Sequence, residues 1–252
     1  MKCIDVHCYY GKWPFPIRDM SIPDMLETME ALDIEKSILM SSRAILYDFI
    51  AGNRELAEII KPHPNLYGYV YINLNYPEAS CAQIDDYLAS DRFVGVKYHG
   101  GYSGAPICAP QNRPIFERIA EEYDKPVLVH TWGVPEHGNS LAHSLPSQVL
   151  ELAQELPNLQ LVMGHMGGPD WTSAIAAAKA APNLYLDTCA SYADSDKVAT
   201  AVSALGADRI LFGSSMTENN PYMQKAVVLD AQISVASKEK ILYSNARRIF
   251  GI

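Results

Sequence analysis

The sequence predicts an α/β protein with a single (β/α)8 barrel spanning residues 1–252. Three observations lead there. Short apolar, β-branched or aromatic runs alternate with helical patterns along the whole chain. Several of those runs are almost continuously apolar, as in a parallel sheet covered on both faces. Eight such units also use up all 252 residues, close to the typical barrel length of roughly 250.

The elements follow in order. Strands are predicted at 3–9, 36–41, 66–73, 93–99, 126–131, 159–165, 183–189 and 209–214. The first helix, 23–32, has Ser21 or Asp24 as a start signal and Pro23 in its first turn. Further helices are expected near 53–61, 78–89, 112–123, 145–155, 171–181, 195–205 and 220–231, and one at 237–249 closes the chain. A doubly wound sheet usually has five or six strands, so the barrel is the better fit. The sequence has no Pro/Gly/Ser-rich linker and no low-complexity tract, which argues for one domain.

Charge and cysteine content narrow the function classes. Twenty basic against 29 acidic residues give a net charge of −9 and a pI near 5.2. That argues against nucleic acid or an anionic membrane as partner. No run of 18 apolar residues is present, and the opening MKCIDVHCYY lacks the pattern of a signal peptide. Five cysteines without a CxxC pair suggest reduced thiols and a cytoplasmic protein.

A barrel enzyme draws its site from the C-terminal ends of its strands. His7 ends strand one, His99 strand four, His130 strand five and His165 strand six, so four of seven histidines meet on one rim. Alternation along strands places Asp5 and Tyr9 on the side of His7, with Cys8 towards the helices. It places Lys97 with His99, Trp132 with His130, and Asp187 with Tyr185 and Cys189. Lys97 would meet either a substrate carboxylate or, as a salt bridge inside the barrel, Asp187 or Asp5. Trp132 would stack on a planar substrate or wall the pocket. His63, between prolines, belongs to the opposite rim. His137 and His143 lie in the loop after strand five, which starts at the functional rim. The segment GHMGGPD at 164–170 reads either as an anion-holding helix start or as a close-packed turn.

Seven segments then carry a resemblance. IDVHCYYG, GVKYHG, PVLVHTW, LVMGHMGG, LYLDT, RILFGSS and NARRIFGI occur in this order. Together the chain resembles the amidohydrolase-2 branch of the amidohydrolase superfamily, metal-dependent barrel hydrolases and decarboxylases. The resemblance implies two metal-binding histidines in a His-x-His on strand one and a third on strand five. It also implies a proton-moving or substrate-polarising histidine on strand six, and an aspartate at the end of strand eight. His7, His130 and His165 match. Tyr9 stands where the second strand-one histidine belongs, and Ser215 where the aspartate belongs; Glu218 is the nearest carboxylate.

The resemblance therefore implies one divalent metal, with zinc expected, held by His7 and His130. His165 and Tyr9 are the catalytic candidates, and Lys97, His99, Trp132, Asp187 and Ser215 would contact substrate. Glu218, His99 or Cys189 is available to replace a lost ligand. Three readings stay open: a hydrolase or decarboxylase with a rebuilt metal site, metal-free acid–base chemistry, and a non-catalytic barrel that binds a small ligand. The first is the primary reading. Its substrate is a small organic molecule, a carboxylate among the candidates, and a homodimer is the family-like expectation.

Overall fold

The computed structural model describes residues 1–17, 19–132, 143–190 and 196–252. Among them eight strands form one parallel sheet in sequence order: β1 (Cys3–Tyr10), β2 (Ile34–Ser41), β3 (Leu66–Tyr71), β4 (Phe93–Tyr98), β5 (Val127–His130), β6 (Leu161–Gly164), β7 (Leu184–Asp187) and β8 (Ile210–Leu211). Every neighbouring pair is parallel, and helices lie between the strands. This is the (β/α)8 barrel that the sequence predicts.

The helices start where local chemistry tells them to. Ser21 caps the helix Ile22–Ala31 with a reciprocal Ser–Asp24 capping box. Asp48 and Asn220 cap Phe49–Ile60 and Pro221–Asp230 through their side chains. Proline sits in the first turn of five helices, at Pro23, Pro77, Pro114, Pro146 and Pro221. Its missing N–H costs nothing there. Two short helices, Ser42–Leu46 and Gly100–Ser103, fall in segments the sequence left as loop. The expected helices at 112–123 and 237–249 each pass through a wider π turn, at Ile119–Tyr123 and Lys240–Ser244.

Strand alternation divides the core. Ile38, Met40, Tyr69, Leu128, Val162, Tyr185 and Leu211 form an interior cluster, while Leu39, Val70, Val129, Met163 and Leu186 belong to the cluster shared with the helices. On β1 the strict alternation fails. Ile4 and Val6 join the interior cluster, not Asp5 as expected, and the register shifts between Asp5 and Cys8. Asp5 instead accepts N–H bonds from His7 (3.1 Å) and Ser214 (3.0 Å). A shift of this kind re-aims the side chains that follow it.

β8 has only two residues, so Ser215 lies beyond the strand end. The barrel closes through main-chain bonds from Val6 N to Phe212 O (3.0 Å), Ser215 N to His7 O (2.7 Å) and Tyr9 N to Met216 O (2.5 Å). At the opposite rim, side chains from one unit cap the chain ends of another. Asn183 Nδ2 donates to the carbonyls of Ala153, Leu156 and Leu159. Arg209 donates to those of Ala178, Ala181 and Leu184, and Arg92 to those of Ile60, His63 and Leu66. His63 takes part in this rim through its main chain, donating its N–H to Ile60 O (3.0 Å) and accepting from Leu66 N (3.0 Å) and Arg92.

Candidate active site

The functional rim surrounds a cavity of about 470 Å³, within the range of small-molecule sites. Tyr9, His99, His130, His165 and Glu218 supply polar groups to it, and Trp13, Phe15, Tyr102 and Trp132 supply aromatic wall. Trp13 stacks on Phe15 with centroids 5.7 Å apart, and Tyr9 meets Trp13 edge-on at 4.9 Å.

His7 is the most constrained of the four rim histidines. Glycines at 164 and 213 make room for it: a Cβ at Gly213 would lie 2.8 Å from His7 Cβ, and one at Gly164 3.1 Å from its ring. Its Nδ1 bonds Asp187 Oδ2 at 2.7 Å and its Nε2 meets the Tyr9 hydroxyl at 3.0 Å. With Nδ1–H donated to the carboxylate, Nε2 is the acceptor and Tyr9 the donor. Burial pushes the His7 pKa down and holds the Tyr9 phenol well above its usual value, which keeps this pair neutral.

Asp187 is fully taken up by the protein. Besides His7, it accepts the main-chain N–H groups of His165 (2.8 Å) and Cys189 (3.1 Å) through Oδ1. Expected to meet substrate, it instead orients His7 and ties three segments together. His165 is gripped from its other side by Lys197, whose buried ammonium donates to His165 O (3.0 Å) and Gly168 O (3.3 Å). That grip matters because His165 and Met166 have φ of 59° and 48°, values L-residues rarely adopt. Ala190 and Ser215 are also left-handed, so unusual backbone gathers at this rim.

His99 and His130 stack face to face, centroids 3.7 Å apart and 16° from parallel. Burial and the neighbouring positive charge hold both pKa values well below the usual range, so two neutral rings stack without repulsion. His130 Nδ1 bonds Ser144 Oγ at 3.2 Å, and His99 accepts the Tyr102 N–H at 3.3 Å. The segment after β6 is the close-packed turn: a Cβ at Gly168 would lie 2.7 Å from the Trp132 ring, and Trp132 meets His165 edge-on at 5.4 Å.

Of the five expected substrate contacts, His99 and Trp132 line the cavity. Lys97, Asp187 and Ser215 are wholly buried beneath it. Lys97 forms neither of the expected ion pairs. Its Nζ has no hydrogen-bond partner among the described residues, and burial lowers its pKa to about 8. Ser215 donates to Glu218 Oε2 at 3.0 Å, which brings that carboxylate to the cavity, and burial raises the Glu218 pKa. His143 is described but is not part of the cavity lining. His137 and most of the loop at 132–144 lie outside the described residues.

The family model described as Amidohydrolase matches residues 4–252. The chain belongs to the amidohydrolase family. No curated protein sequence matches this amidohydrolase. Among solved structures, 2,6-dihydroxybenzoate decarboxylase from Rhizobium is similar at a TM-score of 0.81 and 19% identity, over 99% of this chain and 98% of that one. A dihydroxybenzoic acid decarboxylase from Polaromonas sp. JS666, with bound manganese and the inhibitor 2-nitroresorcinol, has a TM-score of 0.81 at 18% identity, over 99% and 97% of the two chains. The 5-carboxyvanillate decarboxylase from Sphingomonas paucimobilis has 0.78 at 13%, over 100% and 99%. At such identities the likeness is one of fold.

The family implies a divalent metal, and the donor chemistry of this rim fits one. Ligand atoms of His7, His165 and Cys189 lie within 4.8 Å of one another, all three residues buried. His165 Nδ1 is buried without a hydrogen-bond partner among the described residues, as expected of a lone pair kept for a cation. Asp187 supports His7 in the carboxylate–histidine arrangement usual behind metal ligands. His130, the expected second ligand, is outside this cluster and stacked on His99. Sequence reasoning placed Cys189 on the inner face and named it, with Glu218 and His99, as a candidate to replace a lost ligand. It missed Trp13, Phe15, Tyr102 and Lys197, which lie outside strand ends and whose positions only the folded loops reveal.

Proposed function

We propose that this amidohydrolase is a divalent-metal-dependent enzyme of the hydrolase or decarboxylase type, acting on a small planar carboxylic acid, and that decarboxylation is its reaction. The observation that carries this reading is the placing of a buried cation, Lys97, beneath an aromatic-walled cavity whose carboxylate, Glu218, is held towards its protonated form by burial. Hydrolysis requires a base for a nucleophilic water. Asp187 is saturated by its three protein donors, and a serine stands at position 215. Decarboxylation requires neither. A proton is delivered to a substrate carbon, the carbon–carboxylate bond breaks, and its electron pair returns to the substrate as carbon dioxide leaves.

The chain's own groups suit those tasks. Trp13 and Trp132 line the cavity and supply aromatic surface for a flat ring. Lys97 draws the carboxylate inward by its field from below the floor. Glu218, protonated more readily than an ordinary carboxyl, carries the proton. Tyr9 holds its hydroxyl proton towards His7 and bounds the cavity on the same side. His7 and His165 would hold the metal, and His130, stacked in the wall, takes the orienting role. When bound, the metal supplies Lewis-acid stabilisation of negative charge developing on substrate oxygen. The named substrates of the fold neighbours, dihydroxybenzoate and carboxyvanillate, are of the class this cavity would accept.

The test is a panel of hydroxylated aromatic carboxylates, esters and lactones, assayed with zinc, manganese or no added metal. Carbon dioxide release from a carboxylate, lost in Glu218→Gln, is the expected result. Turnover of esters or lactones without carbon dioxide release would return the protein to hydrolysis. Activity insensitive to chelation would remove the metal from the reading.

A further inference from the structure

We propose that Cys189 is a metal ligand, so that this chain holds its ion in a His7–His165–Cys189 site and selects zinc over manganese. The inference rests on the metal-dependent reading above and adds the donor set. Cys189 Sγ lies within 4.8 Å of a ring nitrogen of each histidine, and the residue is 0% exposed. The second observation is independent of the cysteine. His165, itself only 4% exposed, has an Nδ1 with no hydrogen-bond partner among the described residues, and leaving such an atom unmet in a packed interior is costly. The backbone of both residues is fixed by the same carboxylate oxygen, Asp187 Oδ1, so the two donors are held relative to one another. Asp187 Oδ2 at the same time orients His7.

The position of Cys189 also fits the local chemistry. Burial, with the Asp187 and Glu218 carboxylates, holds the free Cys189 thiol in its protonated form, and the Ser215 hydroxyl beside the sulfur opposes this by favouring the thiolate. A sulfur donor thus lies beside Ser215, the position that lacks a carboxylate. A divalent ion displaces the thiol proton on binding. The thiolate and Asp187 then offset the two charges of the ion, and Lys97 is left to face the substrate's carboxylate. Thiolate and imidazole donors suit zinc and cobalt far better than manganese, which prefers oxygen.

The experiment uses the full-length protein, stripped with chelator and titrated with cobalt(II), zinc(II) and manganese(II). A thiolate bound to cobalt gives an intense sulfur-to-metal charge-transfer band in the near ultraviolet. The expected result is that band in the wild-type protein, its loss in Cys189→Ser, and a zinc affinity at least about tenfold weaker in that variant. Manganese should bind weakly to both. Cobalt bound by the wild-type protein without the band overturns the role of Cys189 and leaves the metal-dependent reading intact. No uptake of any of the three ions by folded wild-type protein overturns both. Because the band is read on the wild-type protein, the inference stays testable if Cys189→Ser does not fold.

Discussion

A lysine buried without a hydrogen-bond partner among the described residues carries a charge that the protein balances only by through-space attraction, here to Asp187 and Glu218. Lys97 is in that state, and its lowered pKa, about 8, records the cost of burying an ammonium. Below pH 8 the side chain is cationic and attracts anions, and above it the attraction fades. Benzoate should therefore bind most tightly below pH 8 and weaken roughly tenfold as the pH rises through that value. Lys97→Met should abolish the pH dependence, weaken benzoate at low pH and raise the melting temperature, since an unpaired buried charge is replaced by an apolar chain of similar size. Calorimetric titration of benzoate from pH 6 to 9.5 checks the first two points and thermal melting the third. An identical pH profile in wild-type and Lys97→Met protein would exclude Lys97 as the source of the field.

At the scale of elements, the turn after β6 shows how a loop can hold chemistry. His165, Met166, Gly167 and Gly168 run through four consecutive positive φ values, and the turn is clamped by Asp187 on one side and Lys197 on the other. Gly168→Ala would place a Cβ against the Trp132 ring at φ +60°. It should cost about 1–3 kcal/mol of stability and tilt Trp132, raising KM more than it lowers kcat. Denaturant unfolding and steady-state kinetics read the two effects separately.

The same turn shows what was legible in the sequence. That a glycine-rich segment follows a strand and precedes a helix could be read directly, as could the rim positions of His7, His99, His130 and His165. The grip of Lys197 could not, because it joins residues 32 apart in the chain. Nor could the shifted register of β1, where a local irregularity sends Asp5 to main-chain donors while Val6 fills the interior. Alternation predicts facing only where a strand is regular, and functional strand ends are where regularity fails. The exchange of surroundings between His130 and His165 has the same origin. Spacing assigns each to a rim, but only the angle of the turn decides which ring meets Cys189 and which meets His99.

For the whole molecule, stability and chemistry occupy opposite ends. The lower rim is held by side chains that each gather several carbonyls: Asn183, Arg209, Arg92, and Asn245, which bonds Ala207 O and Ile210 O at 2.7 Å each. A cationic donor is well placed at helix C-termini, where carbonyls are otherwise unsatisfied. Arg209→Met should cost about 2–4 kcal/mol through stranded buried carbonyls, yet leave cobalt binding and KM unchanged at temperatures where the variant is folded. A loss of metal affinity in proportion to stability would show the two ends to be coupled.

The closing seam adds a consequence of its own. β8 contributes two residues, and the contacts that join the end of the chain to its beginning involve His7, Tyr9 and Ser215, the very surroundings of the donor cluster. An ion gripped by His7 on the first strand and by His165 and Cys189 after the sixth and seventh works like a rivet across that joint. Loading the site would then be felt as resistance to heat and protease, with the first and last strands parting later than in the stripped protein. A barrel arranged in this way reports its own occupancy through its durability.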